Sequence, residues 1–424
     1  MSAHTTDNNA EAMSRSGPAS HPDLSYFGGE EVLQCPYPFY RSLLTEAPVA
    51  RLPNESTYLI SRYNDVIAVL DDRDSFSSQR PWEHNLCTAA QDILNQGWPS
   101  PTLLVGEDPP THTFHRRLAM PAFSRKRLAD LSTRMRMIAN ELVDSFSSDG
   151  RADFVTQYAE PLPLRVLGEI MQIPPEEGVV FRKWAHDMLD IIAGGLSPER
   201  EVECALSTVK FQRFIKDHVD RRRAQPDESV ISDLIQARDD EGNGLSESEI
   251  INLLCVFLRA GFETAVQLLG NMMLELLRNP DQLTKLRTDP TLASKVVEEV
   301  MRIESPVQRV VRYVTRDSKI GGVDVPKGAK LILLIGAASR DEATFPNSST
   351  FDIVRKGQKT HVGFGFGSHF CIGAPIARDE ARITLEVVLE RLKNLRLDPN
   401  TDGYTYKPNR ILRGLKHLPI LFDK

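Results

Sequence analysis

A single cysteine in a glycine-rich loop is the residue of this sequence best placed to do chemistry. Residues 361–373 read HVGFGFGSHFCIG, and a helix is predicted to begin just after them, near residue 375. Glycines let a backbone adopt positive φ and approach a flat ligand closely. Backbone N–H groups and the helix N-terminus would favour the thiolate form of Cys371. The alternative, commoner for a lone cysteine, is a buried side chain in a tight loop.

A pair of opposite charges marks the end of a predicted helix. Glu299 and Arg302 form an ExxR pattern, one turn apart on the same helix face, where they can pair. The pattern alone is weak, because such pairs occur by chance on exposed helices.

Polar residues also interrupt the middle of a long apolar helix, at residues 260–264, AGFET. A glycine there costs about 1 kcal/mol relative to alanine, and a buried acid needs a partner. The segment therefore indicates a ligand-approach site formed by Ala260, Gly261, Glu263 and Thr264. The alternative is that Gly261 marks a helix crossing and Thr264 donates a hydrogen bond back to the Ala260 carbonyl.

Helices must supply most of the framework that positions these residues. Helical periodicity predicts segments at about 112–120, 126–147, 160–171, 175–193, 198–223, 229–237, 246–278, 291–304 and 375–392. The longest begins with a capping box from Ser246 to Glu249 and ends before Pro280. Short strands are predicted at 49–52, 58–61, 310–315, 319–320, 323–325 and 330–335, with further candidates near Ile411 and at 418–422. Residues 71–110 are predicted to be mostly loop. The predicted helices and strands together indicate a fold class that is mainly α with smaller β-sheets, an α+β protein.

Composition excludes several other classes of protein. The 424 residues carry 51 Lys and Arg against 58 Asp and Glu, a net charge of −7, without the basic excess of a dedicated nucleic-acid binder. Five scattered cysteines predict no disulfide framework and a cytoplasmic, reducing location. No apolar run reaches the roughly 18 to 20 residues of a membrane span. Residues 1–21 are predicted to be a disordered tail, and 22–424 a single domain.

The glycine-rich loop resembles the haem-binding loop of the cytochrome P450 family. Phe364, Gly367, Cys371 and Gly373 fit the pattern FxxGxxxCxG, and the ExxR and AGxET segments occur in the family's order. The resemblance covers the chain from about residue 22 to its end. It implies the cytochrome P450 fold, haem b ligated by Cys371, and monooxygenation of a small, largely hydrophobic molecule. A thiolate ligand favours O–O cleavage over reversible oxygen binding.

The same resemblance assigns roles to individual residues. Thr264 and Glu263 would deliver protons to bound dioxygen, and Cys371 would bind the iron. Residues implied to contact the haem are His112, Arg116, Ala260, Gly261, Arg312, Phe364, His369, Cys371 and Gly373. Glu299, Arg302 and Arg355 would support the haem loop. His361 is assigned only to local loop structure, and His115 is expected to face solvent.

Substrate contacts are expected from Val256, Arg259, Ala260 and Val310. Val256, Ala260 and Thr264 share one helix face, with Arg259 at its margin. One hypothesis is that Arg259 anchors a carboxylate or other polar group of the substrate; the alternative is that it pairs with an acid of the protein.

Electrons are expected to come from NAD(P)H through a separate ferredoxin and ferredoxin reductase. Basic residues that could steer an acidic ferredoxin are Arg116, Arg117, Arg125, Lys126, Arg127, Lys356, Lys359, Arg378 and Arg382. A monomer is expected. The alternatives are a peroxide-driven peroxygenase or isomerase of the same haem-thiolate type and, more distantly, a helical binding protein without catalysis.

Overall fold

Helices dominate the computed structural model, which describes residues 23–79, 86–98, 103–178, 180–357 and 359–424. The expected tail at 1–21 lies outside the described residues. The α-helices of the described part are α1 Glu30–Gln34, α2 Tyr37–Glu46, α3 Tyr63–Asp71, α4 Thr88–Leu94, α5 Thr111–Ala119, α6 Arg125–Asp144, α7 Pro161–Met171, α8 Pro175–Gly178, α9 Phe181–Ala193, α10 Pro198–Ala224, α11 Val230–Gln236, α12 Glu247–Arg278, α13 Pro280–Thr288, α14 Ala293–Ile303, α15 Ile335–Ala338 and α16 Ala374–Arg391. The expected mainly α fold with smaller sheets is confirmed.

The strands form small sheets at the edge of the helices. They are β1 Val49–Arg51, β2 Thr57–Ile60, β3 Phe76–Ser77, β4 Arg151–Asp153, β5 Arg309–Val314, β6 Ser318–Ile320, β7 Val323–Val325, β8 Lys330–Leu334, β9 Lys393–Leu397 and β10 Pro419–Asp423. The larger sheet has the order β1-β2-β8-β5-β3, with β2 and β8 parallel and the other neighbours antiparallel. A second sheet has the order β4-β10-β9, and β6 pairs with β7 as a hairpin.

Helix α12 lies at the centre of the main hydrophobic core. Its 32 residues pack against α7, α9, α10, α14 and α16, and most of its side chains are buried. The capping box is confirmed: Ser246 Oγ accepts from the Glu249 N–H at 3.3 Å, and Glu249 Oε2 accepts from the Ser246 N–H at 2.7 Å. This cap satisfies two backbone donors at the end of the helix that would otherwise lack partners.

By length and composition, α12 is the one helix in the described part of the chain that could cross a membrane. Its most apolar window is 78% buried inside the structure, as in the core helix of a folded domain.

One local prediction was incomplete, and two were wrong. Residues 71–110 contain the helix α4, whose Ala90 is fully buried against Cys204 and Ala205 of α10. The segment 175–193 is divided into α8 and α9 rather than forming one helix. Around Ile411 there is only an isolated bridge, between Val307 and Leu412, and the terminal strand is β10. For α4, packing against α10 decided the local structure.

Candidate functional site

The loop that carries Cys371 is closed by its own backbone. Gly365 and Gly367 have φ of +75° and +64°, in the left-handed region that favours glycine. These turns return the chain so that the Cys371 N–H donates to the Phe364 carbonyl at 2.8 Å. Helix α16 begins at Ala374, directly after the loop.

Protein groups around the Cys371 sulfur act on its protonation in opposite directions. Desolvation by the surrounding atoms raises the pKa of the thiol. Hydrogen bonds from the backbone N–H groups of Gly373 and Ala374, and the positive charges of Arg116 and Arg378, act to lower it. These donors and cations favour a sulfur that carries negative charge, as a metal-bound thiolate does.

The Phe364 side chain connects the loop to the helices behind it. The ring is buried, and the guanidinium carbon of Arg378 lies 4.5 Å from its centroid. Arg378 also donates to Glu298 of α14 at 2.6 Å, and His361 Nε2 lies 3.1 Å from the same carboxylate. His361 therefore reaches beyond the local loop to which it was assigned.

Glu299, Arg302 and Arg355 meet in a buried network. Arg302 donates to both oxygens of Glu299, at 2.8 Å each, and Arg355 Nε lies 3.1 Å from Glu299 Oε1. Arg302 also donates to the carbonyl oxygens of Ser339 and Ser348. The network thus ties α14 to the chain segment that precedes the cysteine loop.

Four cationic or imidazole side chains gather beside the cysteine loop. The rings of His112 and His369 are stacked, with centroids 4.1 Å apart. Arg116 donates to the Phe370 carbonyl at 2.8 Å, and the buried Arg312 donates to the Val311 carbonyl at 2.8 Å. Burial lowers the pKa of Arg312 to about 10, and burial with the charge of Arg312 lowers the pKa of His369 to about 3. His112 and Arg312 are buried, whereas Arg116 and His369 are half-buried, so the cluster is a partly buried, electropositive site for an anion.

A haem fits this cluster by the chemistry of its donors. His112 Nε2 is buried and has no hydrogen-bond partner among the described residues. A buried polar atom without a partner is costly, so a ligand acceptor or donor is expected there. The two carboxylates of a haem would supply acceptors for His112, Arg116 and Arg312, with Cys371 close by.

A polar layer behind the cluster was not foreseen from the sequence. Ser78 Oγ lies 3.0 Å from His369 Nε2, and the Ser78 N–H donates to Asp108 Oδ1 at 2.8 Å. Ser77 also bonds to Asp108. Asp108 comes only four residues before His112, but its partners are about 30 residues away along the chain, beyond the reach of a local pattern.

The middle of α12 has a small exposed stripe on an otherwise buried helix. Ala260 is exposed and Thr264 is half-buried, one turn later. Thr264 Oγ1 donates to the Ala260 carbonyl at 2.7 Å, the arrangement considered above as the alternative. A Cβ at Gly261 would lie 3.3 Å from Leu167 Cδ2, so this glycine stands at the crossing of α12 with α7.

Glu263 is buried and faces charged side chains, some of which are partly exposed. Gln267 Nε2 donates to Glu263 Oε1 at 3.0 Å, and Lys407 Nζ donates to the same oxygen at 3.1 Å. Glu263 Oε2 has no hydrogen bond, and His186 Nδ1 lies 3.8 Å away. Lys407 also lies 3.6 Å from Glu160. The sequence did not indicate Lys407, since it is 144 residues from Glu263.

The residues expected to contact substrate have different surroundings. Val256 is buried, whereas Arg259 is half-buried and its charge acts on the buried thiol of Cys255. Val310, also half-buried, pairs with Leu333 in the larger sheet.

The expectation that His115 faces solvent was wrong. It is 3% exposed, and its two ring nitrogens lie near the carboxylates of Glu107 and Glu249. Both partners are remote from the helical pattern of α5, so only the folded chain shows the arrangement.

Comparison with known proteins agrees with this geometry. The family model "Cytochrome P450" matches residues 203–413. Cytochrome P450 107B1 of Saccharopolyspora erythraea is 35% identical over 388 residues, 89% of this chain and 93% of the relative. Vitamin D(3) 25-hydroxylase of Pseudonocardia autotrophica is 34% identical, over 91% of this chain and 94% of the relative.

The fold is equally similar to a solved structure. Cytochrome P450 CYP109Q5 from Chondromyces apiculatus matches with a TM-score of 0.83 and 32% identity, over 93% of this chain and 97% of that chain. With a cysteine loop, a partly buried anion site and these relatives, the chain belongs to the cytochrome P450 family and is a monooxygenase that uses haem b.

Proposed function

We propose that Cys371 ligates the haem iron and that the chain inserts one oxygen atom of dioxygen into a small, largely hydrophobic molecule. The observation that carries this proposal is the partly buried cluster of His112, Arg116, Arg312 and His369 beside the cysteine loop, in which the buried His112 Nε2 lacks a partner among the described residues. Haem b with a thiolate ligand supplies the activation of dioxygen.

The protein holds the cysteine and the haem carboxylates by separate groups. The N–H groups of Gly373 and Ala374 donate to the Cys371 sulfur and moderate its charge. Arg116, Arg312 and His112 would hold the carboxylates, with His369 stacked on His112. Phe364 packs the loop against Arg378, while Glu299, Arg302 and Arg355 support it from behind.

Thr264 and Glu263 would handle protons on the side of the substrate. Because Thr264 Oγ1 donates its own proton to the Ala260 carbonyl, its lone pairs are left to accept from a water. Glu263 bonds to the partly exposed Lys407 and lies near His186, which is also partly exposed. These contacts connect the buried carboxylate to solvent, from which a proton donor must take up a new proton after each transfer.

The substrate would lie along the exposed stripe of α12. Ala260 and the half-buried Val310 offer apolar surface, while Val256 is buried. Two relatives are named vitamin D(3) 25-hydroxylase and 6-deoxyerythronolide B hydroxylase. Arg259 would contact a polar group at the margin of this surface.

Electrons would reach the protein from NAD(P)H through a ferredoxin and its reductase, in the cytoplasm and with the chain as a monomer. The basic surface proposed for docking is partly neutralised by the protein itself: Arg382 pairs with Asp379 and Glu386, and Arg117 with Asp240. Docking should therefore be weak, and reduction by an acidic ferredoxin should slow as salt is added.

The spectrum of the reduced, carbon-monoxide-bound protein tests the proposal. The wild-type protein should show a thiolate-type Soret band, which Cys371→His should abolish. Cys35→Ser, at an exposed cysteine, is the matched control and should keep the band. An unchanged band in Cys371→His would exclude Cys371 as the ligand.

A further inference from the structure

His115 lies between two carboxylates from different parts of the chain. Its Nδ1 is 2.9 Å from both Glu107 oxygens, and its Nε2 is 3.0 Å from Glu249 Oε1. A carboxylate accepts hydrogen bonds but does not donate them when ionised. With both carboxylates ionised, both ring nitrogens must be donors, and His115 is then an imidazolium.

The Glu107 side chain fixes the loop that leads into α5. Its Oε2 accepts from the Leu104 N–H at 3.0 Å. Leu104 is buried with φ of +61°, and the Val105 N–H donates to the Leu103 carbonyl at 2.7 Å across it. This three-residue turn is rare for a non-glycine residue, and Glu107 supplies a contact that holds it.

The Glu249 side chain belongs to the first turn of α12. It accepts from the Ser246 N–H in the capping box and from His115 at the same time. His115 therefore connects three elements: the turn at 103–107, α5 and the N-terminus of α12. On α5 it lies between His112 and Arg116, the proposed haem contacts.

We propose that His115 is a positioning residue that, as an imidazolium, ties the 103–107 turn to α12 and so holds the haem-facing side of α5 in place. The effect on haem rests on the proposed roles of His112 and Arg116. The tie between the turn and α12 does not depend on those roles, and it is measured separately.

The charged groups around His115 determine how the stabilisation from its contacts changes with pH. Burial lowers the pKa of His115, but the hydrogen bonds and charges of Glu107 and Glu249 outweigh it, so the pKa is raised above 6.5. The stabilisation is fully present below pH 6.5 and is lost as pH rises through the raised value. The neighbouring acid Glu247 pairs instead with Arg223 and Lys216 of α10.

Haem loss as a function of pH tests the positioning role. The rate is followed by capture of released haem in an excess of a haem-free globin, between about pH 6 and pH 9. In the wild-type protein the rate should rise as His115 loses its proton. His115→Leu should lose haem about tenfold faster at low pH, because α5 is no longer tied to α12. Its rate of haem loss should not rise with pH.

Two further variants keep the experiment decisive. Glu249→Gln keeps the shape of the side chain but removes the charge that raises the pKa of His115. The rise in the rate of haem loss should therefore move to lower pH. His417→Leu, at an exposed histidine paired with Asp153, should behave as the wild type does. A rise that is the same in Glu249→Gln and in the wild type would overturn the proposal even if His115→Leu did not fold.

Hydrogen exchange separates this proposal from the proposed function. In the haem-bound protein, peptides covering 103–107 and 246–252 should lose protection together in Glu249→Gln, while the β6–β7 hairpin should not change. Failure of the proposed haem contacts would appear as unchanged haem loss in His112→Ala. Failure of the tie would appear as unchanged protection of both peptides.

Discussion

Phe364 and Cys371 are joined by a backbone hydrogen bond of 2.8 Å, from the Cys371 nitrogen to the Phe364 carbonyl oxygen. The bond closes the cysteine loop, so movement of Phe364 must move the cysteine. The Phe364 ring is held by burial and by the Arg378 guanidinium, which in turn pairs with Glu298. The position of the proposed iron ligand thus depends on side chains of α14 and α16.

Truncation of Phe364 should weaken the whole fold. Phe364→Ala removes a buried aromatic ring and should lower the free energy of unfolding by about 3 kcal/mol. Phe364→Leu keeps much of the volume but loses the contact with Arg378 and should cost about 1 kcal/mol. Urea unfolding of the haem-bound proteins measures both. No loss of stability in Phe364→Leu would show that the ring's contact with the guanidinium is unimportant.

The Glu299 network should be sensitive to loss of a single charge. Glu299→Gln leaves Arg302 buried without its carboxylate and should cost about 3 kcal/mol or more. Asp324→Asn is the matched control, because Asp324 pairs with Lys319 on the surface at 3.2 Å and its loss should cost under about 1 kcal/mol. Urea unfolding compares them. A similar small loss in both variants would contradict a structural role for the network.

The sequence predicted those parts of the site whose contacts are local or are marked by a strong sequence pattern. In both the capping box and the ExxR pattern, the two paired residues are three positions apart, and both pairs form as expected. The cysteine loop is marked by glycines, and two of them have positive φ.

Contacts between distant segments could not be predicted in this way. His115 meets Glu249, 134 residues away, and Glu263 meets Lys407 in the C-terminal segment. The helix α4 lies in a stretch rich in proline, where its buried face depends on α10. These features depend on which elements pack together, and no local period or spacing records that.

Gly261 should behave as a packing residue. Gly261→Ala should gain up to about 1 kcal/mol of helix propensity, opposed by the 3.3 Å contact with Leu167. In a Leu167→Val background the contact is relaxed, so the same substitution should be more stabilising. Thermal unfolding of the four proteins measures the coupling. Binding of carbon monoxide should be unchanged in Gly261→Ala; a clear slowing would instead favour a groove for the diatomic ligand.

The Thr264 hydroxyl should control how efficiently electrons are used. Thr264→Val removes the hydroxyl with little change of shape, so product formed per NAD(P)H consumed should fall about tenfold or more. Dioxygen would then take up two electrons and two protons and leave as hydrogen peroxide. Thr264→Ser keeps the hydroxyl and should retain most of the coupling. Equal coupling in the valine variant and the wild type would show that the hydroxyl is not needed.

Glu298 should make stability depend on acid pH. Burial would raise the pKa of its carboxyl, but the hydrogen bonds and charges of His361 and Arg378 outweigh it and lower the pKa to about 2. Because the ordinary value is 4.5, the ionised carboxylate stabilises the fold above pH 4.5 and loses this effect as pH falls toward 2. The difference in unfolding free energy between the wild type and Glu298→Gln should therefore shrink over that range.

Arg378→Met provides the test of this cause. Without the guanidinium, the carboxyl pKa should move back toward 4.5, so the stabilisation should be lost at higher pH than in the wild type. Urea unfolding at a series of acid pH values, followed by circular dichroism, measures the three proteins. A difference between the wild type and Glu298→Gln that stays constant from pH 4.5 to pH 2 would show that the carboxylate does not stabilise the fold through its charge.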